Sequence, residues 1–146
     1  MDLIAIFIAL LLTAISLLHV YWGTGGAWPG SDAASCAKAV IGSAGVDKMP
    51  GPVACFGVAL VIFATALLAL AQAGLVVTPF PAGLIRLAML GVMLVFILRG
   101  IAGFIPRLRR FAPEEPFARL DRQYYSPLCL MLGGGFALLL SFANPA

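Results

Sequence analysis

Four long apolar runs, two polar connecting segments and one tight turn make up the pattern of the chain. The first run starts at Leu3 and carries no charged side chain before His19. At 1.5 Å per residue it is long enough to cross a hydrocarbon core of roughly 30 Å. The second run opens on Pro52, a residue suited to the first turn of a helix, and its one strongly polar side chain is Gln72. Thr78-Pro79-Phe80-Pro81 reads as a tight turn. The third run carries Arg86 and Arg99, which lie on roughly opposite helical faces. The fourth opens on Ser126-Pro127, read as a cap and a first-turn proline, and contains Gly133-Gly134-Gly135. The pattern predicts spans at about residues 3–21, 53–76, 82–105 and 126–143. The fold class is all-α: an integral membrane four-helix bundle forming a single membrane domain over residues 1–146.

The first run is read as a retained span rather than a cleaved signal. Only Met1 and Asp2 precede it, so there is no basic n-region, and it ends in His19-Val20-Tyr21-Trp22, an interfacial cluster.

Composition agrees with a lipid solvent. The chain is 62% hydrophobic and 10% charged, with a mean hydropathy of +1.07. A soluble domain is about half apolar and about a quarter charged. The location of the charge adds an orientation. The two long connecting segments hold Lys38, Lys48, Arg107, Arg109, Arg110, Arg119 and Arg122, whereas the opposite side has only Arg86, at a span end. The positive-inside rule then predicts two long cytoplasmic loops, both termini outside and a reduced Cys36. No nucleic-acid partner is expected, because no large basic face interleaves with aromatics. Cys36, Cys55 and Cys129 show no CxxC spacing and His19 is the one histidine, so no metal site is expected; no cofactor is implied either.

The first connecting segment, residues 23–51, is rich in Gly, Ala, Ser and Pro. Ser31-Asp32 can start a short helix over residues 33–41, and Pro50-Gly51-Pro52 stops it. Gly23-Thr24-Gly25-Gly26 is not a phosphate loop, since no Gly-Lys-Ser/Thr follows; a tight re-entry of the loop over the helix ends is expected.

In this topology distant residues meet at the cytoplasmic end. His19 closes the first span, Arg99 lies a little under two turns before Pro106, and Asp121, Tyr124 and Tyr125 precede the fourth span. Arg99 inside a span costs several kcal/mol unless paired or snorkelled. Asp121 is the expected partner, because Glu114 and Glu115 sit in a proline-flanked loop read as solvated. Gly100 and Gly103 slim the third helix on the Arg99 side, where a neighbour can approach. Arg86 is read as snorkelling at its span end. His19, with Ser16 and Thr13 behind it and Trp22 ahead, gives a weakly polar edge; an ordinary interfacial histidine explains it as well as a chemical role. Tyr21, Trp22, Trp28, Tyr124 and Tyr125 all lie on the cytoplasmic side. An interfacial belt explains their depth, and a pocket explains their one-sidedness. The absence of paired carboxylates within the spans disfavours a cation channel, and no inverted repeat suggests a secondary transporter.

The segments His19-Val20-Tyr21-Trp22 with Gly25-Gly26, residues 50–56, Arg99-Gly100, Phe117-Ala118-Arg119-Leu120-Asp121-Arg122 and Tyr125-Ser126-Pro127-Leu128-Cys129 together resemble a family of small bacterial four-helix membrane proteins. That family is known as a domain of unknown function (family number 3995). The resemblance covers nearly the whole chain and implies a four-span fold in the cytoplasmic membrane. It brings no activity, cofactor or catalytic residue.

Three functions fit. In the first, a pocket of His19, Tyr21, Trp22, Trp28, Arg99, Asp121, Tyr124 and Tyr125 at the cytoplasmic leaflet binds or moves an amphipathic or anionic small molecule. In the second, the chain is an accessory subunit that packs small-residue helix faces against a larger membrane complex or a second copy. In the third, a small enzyme acts on a lipid or isoprenoid-like substrate, with His19 as acid or base, Asp121 orienting it and Arg99 stabilising negative charge. Membrane lipids are the partners common to all three.

Overall fold

The computed structural model describes residues 1–142 and, among them, contains helices and no strand. Four helices are long and apolar enough to cross a membrane: α1 (Asp2–Gly23), α3 (Pro52–Gln72), α4 (Ala82–Ala102) and a composite fourth running from Phe117 to Ser141. Only 17% to 28% of each spanning window is buried inside the protein, so most of every helix turns apolar side chains outward. That surface is stable in lipid and untenable in water. The protein is therefore a multi-pass membrane protein.

The connecting segments are partly helical. Short α2 (Ala33–Val40) lies in the first loop, and one-turn α5 (Pro106–Arg109) and α6 (Phe117–Leu120) lie in the second. The N-cap of α2 is Asp32, whose carboxylate accepts the Ser35 N–H at 2.8 Å, while the Ser35 hydroxyl takes the Asp32 N–H at 3.1 Å. These bonds to Ser35 hold the Asp32 carboxyl below its ordinary value. The stabilisation is full above the unfolded carboxylate range and is lost as the pH falls through the lowered folded value. The protection factor of the Ser35 amide, its exchange rate relative to the intrinsic rate at each pH, is expected to hold its full value above about pH 4 and to fall below it. Equal protection across that range would remove Asp32 as the cap.

The third span closes at Ala102 rather than residue 105, and two further boundaries differ from the sequence expectation for a visible reason. The second span ends at Gln72, not residue 76: Gly74 adopts φ +75°, and the Leu75 and Gly74 amides bond back to the Leu70 and Ala71 carbonyls. This is a Schellman stop, which needs the left-handed residue that glycine supplies. The fourth span starts well before residue 126. Pro127 has no N–H for the carbonyl four residues earlier, yet the helix does not begin there. Instead a π-turn over Asp121–Tyr125 joins α6 to α7 (Ser126–Ser141), with the Ser126 N–H reaching five residues back to the Asp121 carbonyl. Ser126 is thus an interior residue rather than a cap.

The helices pack as two close pairs, α1 with α3 and α4 with α7. Small residues make both possible. Ala59, Ala66 and Ala69 of α3 are buried on the α1 side, and the Ser16 hydroxyl donates to the Ala59 carbonyl at 2.8 Å. On the other pair, a Cβ at Gly133 would meet Ile97 at 2.7 Å, and one at Gly100 would meet Leu130 at 2.6 Å. The pairs join through a core of Ile8, Leu12, Met89, Leu132, Phe136 and Leu139, with Phe96 stacked on Phe136. This core lies in the half of the bundle nearest Met1 and Phe142. The α1–α7 seam is much less extensive than either pair, and it opens toward the long loops.

Candidate functional site

The open part of the α1–α7 seam is a cavity of about 540 Å³. Ile15, Leu18, His19 and Trp22 of α1 form one wall. Leu120, Tyr124, Tyr125, Leu128, Cys129 and Leu132 form the opposite wall, and Phe96 closes the side toward α4. Trp28, Pro29 and Val40 roof it from the first loop. The volume lies within the range of small-molecule sites, and like them it is mostly apolar with a few polar atoms.

Local chemistry builds the roof. Helix α1 ends in a Schellman turn: Gly25 sits at φ +95°, and the Gly26 and Gly25 amides bond back to the Tyr21 and Trp22 carbonyls. The chain therefore doubles back over the helix end, and the Trp22 indole N–H donates to the Trp28 carbonyl at 2.7 Å. The buried Cys36 thiol donates to the same carbonyl at 3.4 Å, and its burial raises its pKa above the ordinary thiol value. The expected re-entry of the glycine loop is what the structure contains. A second tie holds α2 down: the Tyr125 hydroxyl donates to the Ala39 carbonyl at 3.1 Å. The long loops are also bonded to each other, because Glu114 accepts the Gly45 N–H at 3.0 Å and donates its own N–H to the Gly42 carbonyl. Glu114 is thus a loop-to-loop tie and only partly exposed, unlike its solvated sequence reading.

His19 is the polar feature of the wall. Its Nδ1 lies 2.8 Å from the Ile15 carbonyl, which can only accept, so Nδ1 carries the proton. In the neutral imidazole this leaves Nε2 as an uncommitted acceptor. The ring meets Trp22 edge-on, with centroids 4.9 Å apart, and the two also border a smaller cavity of about 160 Å³ toward Cys55. Ser16 does not extend this polar edge, because it turns toward α3.

Arg99 and Asp121 meet as the sequence suggests, with Arg99 Nη2 2.5 Å from Asp121 Oδ1. Ser126 completes the set: its hydroxyl accepts from Arg99 Nη1 at 3.3 Å and donates to Asp121 Oδ2 at 3.2 Å. Asp121 is buried and the Arg99 side chain is 41% exposed. The pair lines its own cavity of about 170 Å³ with Gly103, Arg109 and Phe117, separate from the aromatic cavity.

The eight sequence candidates therefore divide. His19, Trp22, Trp28, Tyr124 and Tyr125 share one cavity. Arg99 and Asp121 form an adjacent ion pair. Tyr21 is exposed, its ring covering Gly26, and lines neither. Asp121 does not orient His19: its carboxylate is spent on Arg99 and Ser126, while the histidine bonds to its own helix. Ser126 and the roof residues Pro29 and Val40 were not foreseen. The five-residue spacing from Asp121 to Ser126, ahead of a proline, was the available signal for the first.

Comparison with known families places the chain. The model for "Protein of unknown function (DUF3995)" matches residues 12–136, and the chain belongs to this family. No curated protein and no solved structure matches it.

Proposed function

We propose that this protein binds an amphipathic small molecule in the aromatic cavity between α1 and α7, at the cytoplasmic leaflet of a bacterial inner membrane. The orientation rests on the Lys and Arg residues of the two long loops. The observation that carries the reading is the cavity itself: about 540 Å³, walled by two tryptophans, two tyrosines and His19. The Trp22 and Tyr125 donors are already bonded to backbone carbonyls, which leaves His19 Nε2 and the Tyr124 hydroxyl for a ligand. Such a site suits a flat head with one or two polar atoms. It does not suit an anion, because Arg99 lines the neighbouring cavity and already faces Asp121. The enzyme reading loses support, since no carboxylate among the described residues hydrogen-bonds to His19.

Native mass spectrometry of the gently solubilised protein tests this. The wild type is expected to carry a small molecule that Cys129→Phe, which fills the cavity, loses while retaining its helical circular dichroism. A small molecule retained equally by both proteins would overturn the site. Protein subunits without a small molecule would favour the accessory-subunit reading.

A further inference from the structure

The α1–α7 seam has a second cavity of about 530 Å³, nearer Met1 and Phe142. Ile4, Phe7 and Ile8 border it on α1, and Met131, Gly134 and Leu138 on α7. Leu132, a buried side chain, lines both cavities and stands between them. From His19 to Ile4 the line of the two cavities runs roughly 22 Å along α1 at 1.5 Å per residue. Its polar atoms are at the roofed end; the rest is apolar.

Resting on the binding site proposed above, we infer that the ligand is a single-chain amphiphile: a flat, hydroxyl-bearing head in the aromatic cavity and one hydrocarbon or isoprenoid chain running past Leu132 into the second cavity. Three features select this occupant. With Nδ1–H committed to the Ile15 carbonyl, Nε2 is the ring atom left to pair with a hydroxyl on the head. The roof of Trp28, Pro29 and Val40 closes the upper cavity to a partner helix about 10 Å across, whereas a chain can thread beneath it. Near the lower cavity, Gly133 and Gly135 are used for contact with Ile97 and Ile8, but a Cβ at Gly134 would meet nothing within 4 Å. That leaves room beside α7 for a chain that the protein does not itself fill.

The probe is 4-dodecylphenol with a diazirine near the far end of its chain, photolysed with the full protein in lipid nanodiscs. Adducts are expected at Phe7 and Met131 and are competed by unlabelled 4-dodecylphenol. Gly134→Leu projects bulk beside the lower cavity from a Cβ position with no neighbour within 4 Å. It should cut these adducts about tenfold while 4-propylphenol still binds, read from Trp22 and Trp28 fluorescence. Uncompeted adducts spread over the outward faces of α3 and α4 would mean annular lipid contact only and would overturn the chain path. If 4-propylphenol still bound in that case, the head site would stand. Failure of both phenols to bind would overturn the head site and the chain path together.

Discussion

Arg99→Ala is expected to destabilise the bundle by about 2–4 kcal/mol, clearly more than Asp121→Asn, which should cost about 1 kcal/mol. The asymmetry follows from burial. Asp121 is 6% exposed, so removing Arg99 strands a carboxylate away from water with only Ser126 to donate to it. Arg99 is 41% exposed at the side chain, so without Asp121 it can straighten toward water or lipid phosphate. That exposure also places the expected cost of Arg99→Ala at the lower end of values for fully buried pairs. Arg99→Lys should recover part of the loss, since a lysine keeps the charge but cannot bridge both Asp121 and Ser126 in the same fork. Reversible unfolding in mixed micelles reads all three variants. Equal costs for Arg99→Ala and Asp121→Asn would show that the carboxylate has other support.

The second large effect is at Gly103. Its φ of −65° is open to any residue, so glycine is not needed there for conformation. It is needed for space: a Cβ would overlap the Ser126 hydroxyl and the Asp121 carboxylate. Neither group can yield cheaply, because each is bonded to the other and to Arg99. Gly103→Ala is therefore expected to cost about 3 kcal/mol, from overpacking and a broken hydrogen bond. Gly134→Ala, with no neighbour in reach, should be neutral or mildly stabilising through helix propensity. Ser126→Ala in the Gly103→Ala background should recover part of the loss, because it removes the atom the new methyl meets. Additive costs in the double variant would place the clash elsewhere.

These two predictions bear on how the candidate site is held. The π-turn over Asp121–Tyr125 directs Asp121 toward α4, while Tyr124 and Tyr125 line the cavity facing α1. The ion pair anchors one side of the turn, and Tyr125 anchors the other by its bond to Ala39. Disturbing Arg99 or Gly103 should thus loosen the cavity wall as well as the α4–α7 interface.

The sequence predicted the Arg99–Asp121 pair because an arginine within a span needs an anion and because the topology left Asp121 at the right depth. It predicted the slim face at Gly100 and Gly103 for a similar reason: the absence of a side chain is visible in one dimension. The start of the fourth span was misread because Ser-Pro is a common way to open a helix. What overrode that signal was a π-turn, whose hydrogen bond spans five residues and leaves no periodic trace in so short a stretch. The separation of Arg99 from the aromatic cavity was equally hidden. Depth along the membrane follows from counting residues, but the side of a helix that a pocket occupies depends on which neighbours pack against it.

The sequence by itself determined the solvent, the all-α class and four spanning helices, because apolar runs of about twenty residues have few stable alternatives in lipid. It also determined which residues gather at the loop end. Only the tertiary structure decided how the helices pair, and hence where space is left. Small side chains close the α1–α3 and α4–α7 interfaces, while the α1–α7 seam stays open beside His19 and Gly134. Close packing depends on how two surfaces interlock in three dimensions, and neither surface alone encodes the gap between them.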